Sequence, residues 1–421
     1  MQRWRIAFVI VLVAMALRVP FAISMLHQPG VSWRWGGESF SIANAVVSGH
    51  GFSSPYFEET GPTAQQTPGF PYFLAVLYYI GGGSMDFAFR AILGLNVVFS
   101  ALTCVVLIAI GNRLRPGHGN LFGWAWAVLP ILGFSEVVFI WATALYTFIS
   151  TLLIWLLMKI VDVGRITNFF WWGILAGASL LLDPAYTLVL GLILSTLWLM
   201  GHVSLRQFAI ATCAIALILG PWIIRNNVEV GYPTSIRSNL GFEVYRGLVT
   251  DPWKMENVNK LNPGRNPTEL ALYKELGEHR YMAEQNRLAK DLVINNPSLV
   301  LRRVAIGIIA YWAGNQEIEW RIGYAVVPFL KHMLFAIPAL TGLWGMFLLL
   351  RQSKDRVAAV IFVTIILVFP LPYYATIAGP RYRVPIEPFL VLLTVYGFLG
   401  IRRDMRRNAV VRESTATLSK S

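Results

Sequence analysis

Residues 88–111 read AFRAILGLNVVFSALTCVVLIAIG, an apolar run with Arg90 as its one charge. A helix of that length reaches across the ~30 Å hydrocarbon core of a bilayer. Arg113 and Arg115 follow it, as expected at the cytoplasmic end of a span. Upstream, residues 70–83 (FPYFLAVLYYIGGG) are apolar but short, so they read as an interfacial or re-entrant helix. Further upstream, Arg3 and Arg5 precede a first span over 6–26, which carries no small-x-small cleavage site and is read as retained. Downstream, further runs are read at 120–137, 138–158, 168–182, 184–201, 207–224, 325–350, 357–372 and 384–401. The fold class expected is therefore an all-α integral membrane protein of about ten transmembrane helices.

Composition agrees. Of 421 residues, 56% are hydrophobic and 14% charged. Soluble domains carry about 25% charged residues. The net charge of +13 has a ready source in cytoplasmic loops, and no basic stripe with interleaved aromatics points to nucleic acid. Short links placed inside by this count are basic, and both termini fall inside. The long segments 27–87 and 225–324 then lie together on the outer face. Within the second, 269–292 shows helical spacing and 297–316 reads as an interfacial helix. The transmembrane domain is taken as 1–401, followed by a polar cytoplasmic tail over 402–421. Cys104 and Cys213 sit in separate apolar runs and suit packing. The histidines are scattered without a zinc pattern, and there is no Walker A motif. Arg18, near the outer end of the first span, is expected to snorkel to the interface.

Three outer segments carry candidate chemistry. In WGGESFSIANAVVSGHGFSSP, Glu38 is the first acidic residue after the first span. It is either a carboxylate raised by partial burial for base work or a solvated residue favoured at a helix N-terminus. In GPRYRVPIEP, Arg381 and Arg383 flank Tyr382 at the mouth of the last span. They suit bidentate binding of a phosphate, or else contact lipid headgroups or pair with Glu387. In PWIIRNNVEVGYPTSIRSNLGFEVYRG, Arg225 and Arg237 flank a turn, where they either hold sugar or phosphate groups or anchor the loop domain.

These segments, with GPTAQQTPGFPYFLA, IWATALYTFISTLL and ELALYKELGEHRYM, occur in an order that resembles bacterial GT-C class glycosyltransferases. The resemblance is to the glycosyltransferase family 39 and aminoarabinose-transferase-like group, kin to protein O-mannosyltransferases. It implies inverting transfer of a sugar from a polyprenyl-phosphate donor to a lipid, glycan or protein acceptor outside the inner membrane. It also implies that Glu38 is the catalytic carboxylate and that Arg381 and Arg383 bind the donor phosphate; Arg225, Arg237 and Tyr382 are further candidates for holding the donor's phosphate or sugar. Many relatives carry paired acids where this chain has Gly37-Glu38, so no metal ligands are assigned, although a divalent metal is compatible with the family. Trp141-Ala142-Thr143 replaces a Trp-Glu-Thr, and Arg246-Gly247-Leu248 stands where Gly-Asn is usual. The rival readings are a transporter or flippase of lipid-linked sugars and a non-catalytic envelope assembly protein. Internal repeats and midplane charges would favour transport, and neither is evident.

Overall fold

The computed structural model describes residues 2–28, 36–129, 136–138, 140–231, 234–250, 259–314, 328–353 and 355–400. The expected tail over 402–421 lies outside them, as does the 130–135 part of the third expected span. Helices appear in the order α1 (Gln2–His27), α2 (Gly37–Val47), α3 (Gly69–Ile80), α4 (Met85–Leu114), α5 (Gly119–Val128), α6 (Thr143–Val163) and α7 (Ile166–Leu180). They continue as α8 (Thr187–Leu199), α9 (Leu205–Glu229), α10 (Leu240–Val249), α11 (Pro267–Asn295), α12 (Pro297–Ala313), α13 (Pro328–Gln352) and α14 (Arg356–Val368). A last span, Arg381–Gly400, closes the bundle. Among the described residues the one bridge of β type joins Ser53 and Pro62.

The protein is a multi-pass membrane protein, but the count of ten is not reproduced. Among the described residues seven helices are long and apolar enough to cross a bilayer. Including α11 and α12 as one broken span would make eight, although they meet at a bend of 104°. Local chemistry accounts for the shorter helices. The expected fifth and sixth spans are α7 and α8, of 15 and 13 residues, separated where Asp183 accepts the Ala185 amide at the head of a 3₁₀ turn. Pro184 also disfavours helix in the residue before it. Of the expected third span, the ten residues Gly119–Val128 form α5, with Leu129 as its C-cap.

That early end explains Arg18. Helix termini leave carbonyls without partners, and a membrane interior supplies none. Arg18 is wholly buried rather than snorkelling. Its guanidinium donates to the carbonyls of Trp126 and Ala127 at the end of α5, at 2.9 and 3.0 Å, and to Ser100 Oγ of α4 at 2.6 Å. One side chain thus ties α1, α4 and α5 together. Small residues do similar work elsewhere. A Cβ on Gly173 of α7 would stand 2.6 Å from the Ala211 carbonyl of α9, and Gly177 meets Ile218 just as closely. Only glycine lets these backbones approach, as in small-xxx-small helix pairs.

The bundle has two unlike ends. At one, Arg113 of α4 pairs with Asp162 of α6 and, at 2.8 Å, with Asp355 before α14. At the other end the two long segments meet. The buried Glu278 of α11 accepts from Thr63 Oγ1 (2.5 Å), the Ala64 amide (2.8 Å), Ser238 Oγ (2.7 Å) and the Tyr273 hydroxyl (2.8 Å). An aromatic core of Tyr56, Phe242, Tyr273 and Tyr281 seals the same contact. Segments far apart in sequence therefore form one cap over the bundle.

Candidate active site

A cavity of about 1900 Å³ lies between this cap and the spans. Its walls come from α1, α2, the 55–71 loop, the 141–146 segment, the Asp183 turn, α9, α10, the 259–265 turn and the 372–385 segment.

Glu38 reaches it from the first turn of α2. Gly37, at φ 55°, starts that turn in the left-handed region where a side chain would be strained. A carboxylate in a first helical turn is favoured by the helix dipole. The loop beside it is pinned by Ser41, whose hydroxyl donates to the Ser54 carbonyl (2.5 Å) and accepts from the Phe57 amide (2.6 Å). Ser54 and Phe57 both hold positive φ, at 57° and 61°, an uncommon conformation for residues with side chains. Such outliers persist where surrounding contacts over-determine them. Tyr56, between them, is buried and lines the cavity. Burial raises its phenol well above the ordinary range, and the charge of Glu38 raises it further.

Arg381 enters from the short helix Pro380–Arg383. Its guanidinium lies over the rings of Trp141 (4.9 Å) and Tyr382 (4.5 Å), and it donates to the Tyr382 hydroxyl. Tyr382 is itself stacked on Tyr373 at 4.8 Å. This arrangement fixes a planar cation while leaving its charge in the cavity. Arg237 joins from the loop after α9, oriented by a bond from Nε to the Gln65 carbonyl at 2.9 Å.

Arg225 and Arg383 are placed otherwise. Arg225 donates to the carbonyls of Thr63 (2.5 Å) and Phe52 (2.8 Å) and rests over Phe52 and Trp222. It anchors the first long segment to α9, the second of the two roles its position allows. Arg383 is fully buried, ion-paired with Glu387 and bonded to the Trp312 carbonyl at 2.7 Å. Neither is among the residues lining the cavity. The helical turn through 380–383 and the following 3₁₀ turn send the two arginines in different directions.

The cavity also holds residues that sequence reading passed over. Asp183 was visible only as a turn between apolar runs, yet it lines the wall near Arg237. Burial raises its carboxyl above the ordinary range, and the Arg237 charge and the Ala185 amide offset this in part. Glu243 and Arg246 of α10, and Arg265, line the wall made by the cap. No local pattern marked them, because α10 is brought to the cavity by its packing on α11. Among the described residues no three His, Cys, Asp or Glu side chains gather as metal ligands. Glu243 is turned to Arg246 and Asp183 to the Ala185 amide.

No protein-family model matches the chain, and no curated protein matches it. Solved structures do. The chain is similar to the Archaeoglobus fulgidus oligosaccharyltransferase AglB in complex with an inhibitory peptide and a dolichol-phosphate, with TM-score 0.56 and 11% identity over 98% of this chain and 52% of that one. A second structure of an oligosaccharyltransferase from the same organism, in complex with Zn and sulfate, gives TM-score 0.51 and 11% identity over 98% of this chain and 51% of that one. The likeness is one of fold, that of the GT-C class. The chain spans about half the length of these two proteins.

Proposed function

We propose that the protein is a membrane glycosyltransferase. It takes a sugar from a polyprenyl-phosphate donor and passes it to an acceptor at the extracytoplasmic face. One observation carries this reading: a single cavity collects a carboxylate (Glu38), two cations (Arg381 and Arg237) and apolar side chains from the spans. Phe21 of α1 and Leu188 of α8 line it and are both exposed. A donor with a long lipid tail needs that combination. The fold likeness supports the class, and the AglB structure holds a dolichol-phosphate, a lipid phosphate of the kind proposed here.

The chemistry follows from the placement. The acceptor oxygen attacks the anomeric carbon from the face opposite the phosphate, so the configuration inverts. The bond between that carbon and the phosphate oxygen breaks, and its electron pair stays on the lipid phosphate. Arg381, with Arg237 from the same cavity, stabilises the charge that develops there, and the Tyr382 hydroxyl orients Arg381. Glu38 accepts the acceptor's proton. The cap over the cavity excludes water, which would otherwise hydrolyse the donor.

The proposed orientation uses the two ends of the bundle. Arg113, Arg115, Lys159, Arg165, Arg351 and Arg356 gather at or near the end away from the cap. The positive-inside rule makes that end cytoplasmic and the cavity extracytoplasmic, in a bacterial inner membrane with both termini inside. The test is to incubate the purified protein with a panel of polyprenyl-phosphate sugars and follow free polyprenyl phosphate. Release that depends on an added acceptor is expected for at least one sugar. Transport of labelled lipid across vesicles without release from any donor would replace this reading with that of a flippase.

A further inference from the structure

We propose that the cap wall of the cavity, formed by α10 and the 259–265 turn, is an anion subsite. It takes a carboxylate or phosphate carried by a glycan acceptor. The word acceptor rests on the transferase reading, whereas the anion subsite does not.

Arg246 carries the argument. It is 7% exposed and lines the cavity, yet among the described residues its guanidinium makes no hydrogen bond. Its nearest anion is Glu243, at 3.7 Å, and Phe242 lies under it at 5.0 Å. Nε is buried without any acceptor. A buried polar group left without hydrogen bonds costs free energy, more so when charged. By contrast, the equally buried Glu278 of the same cap accepts from four donors. A guanidinium held over a ring and open to a cavity suits an incoming carboxylate or phosphate.

A second cation converges on the same wall. Asn262 accepts the Gly264 amide at 2.8 Å through its side chain and the Arg265 amide at 2.8 Å through its carbonyl. This compact turn presents Arg265, exposed and lining the cavity. The turn lies against Tyr56, since a Cβ on Gly264 would stand 3.2 Å from that ring. Asn239, Asn259 and Asn262 add amides that match sugar hydroxyls. Phe21 and Met25 of α1 and Leu219 and Ile223 of α9 bring apolar side chains to the cavity from the spans. A glycan entering from the aqueous side meets the cap wall, and a lipid headgroup entering between spans does not.

The test places the full chain in phosphatidylcholine nanodiscs and titrates three probes. These are a glucuronate-containing tetrasaccharide, its carboxyl-reduced neutral form and a phosphorylated tetrasaccharide. At least one charged probe is expected to bind about tenfold tighter than the neutral one, the effect of one charge-assisted contact. Arg246→Gln should bring charged and neutral probes to the same affinity. Arg265→Gln, at an exposed position where folding is safe, should move in the same direction. Arg287→Gln, a surface cation away from the cavity, should change nothing. Equal affinity for charged and neutral probes, or charge selectivity retained in both cavity variants, would overturn the proposal. So would displacement of the charged probe by phosphatidylglycerol added to the disc. Charge-selective binding in a protein that consumes no lipid-phosphate sugar would sink the transferase reading and leave the subsite. Turnover without charge selectivity would do the reverse.

Discussion

Glu278 and Arg246 stand on neighbouring helices of one cap, both more than nine-tenths buried, and the fold treats them in opposite ways. Glu278 is given four hydrogen bonds from three separate stretches of chain. Arg246 is given an ion pair at 3.7 Å and no hydrogen bond among the described residues. At the mouth of the last span the contrast is one of placement: Arg383 is buried against Glu387 and Trp312 while Arg381 lines the cavity. Charges whose partners the fold supplies hold segments together. Those turned to the cavity keep their capacity for a ligand. Burial alone does not separate Glu278 from Arg246, and hydrogen-bond satisfaction does.

The contrast can be broken by mutation. The largest effect is expected on the cavity side, at Glu38. Glu38→Gln keeps the shape and removes the base, so sugar transfer should fall by about a hundred- to ten-thousandfold with thermal unfolding unchanged. On the structural side, Glu278→Ala strands three hydroxyls and an amide, and should cost on the order of 3 kcal/mol in unfolding measurements. Turnover per folded molecule should suffer far less than in Glu38→Gln. Next comes the arginine pair. Arg381→Gln should raise the KM for the lipid-phosphate donor about tenfold and leave unfolding unmoved. Arg383→Gln should lower stability and leave donor KM alone, because it leaves Glu387 buried without its partner. Identical behaviour of the two variants would erase the distinction drawn between them.

The smallest effect sharpens the comparison at Asp183. Its folded pKa is raised, so the folded state holds that proton more tightly than the unfolded chain. The associated stability is present at low pH and is lost as pH rises from about 4 through the folded value. Asp183→Asn should therefore flatten the decline of thermal stability over that window.

The class of fold was legible because apolar runs of spanning length need no tertiary information. The helix count was not. Whether a break such as Asp183-Pro184 separates two full spans or two short helices depends on what packs beside it. Arg18 shows the same limit, since its partners are carbonyls freed only because α5 stops at Val128. Glu38 could be singled out as the first acidic residue after a span. Arg381 and Arg383 could not be told apart, because alternate spacing in a loop fixes no direction. Arg246 and Arg265 were unreadable, as their places depend on contacts with residues such as Tyr56 and Asn286, far away in sequence.

The central claim is that Glu38 takes the proton as the donor's lipid phosphate departs. A single-turnover experiment with labelled polyprenyl-phosphate sugar measures this step apart from binding and release. The account predicts that Glu38→Gln binds the donor as tightly as the parent and frees polyprenyl phosphate at least about a hundredfold more slowly. Release at the parent's rate from the bound donor would contradict it.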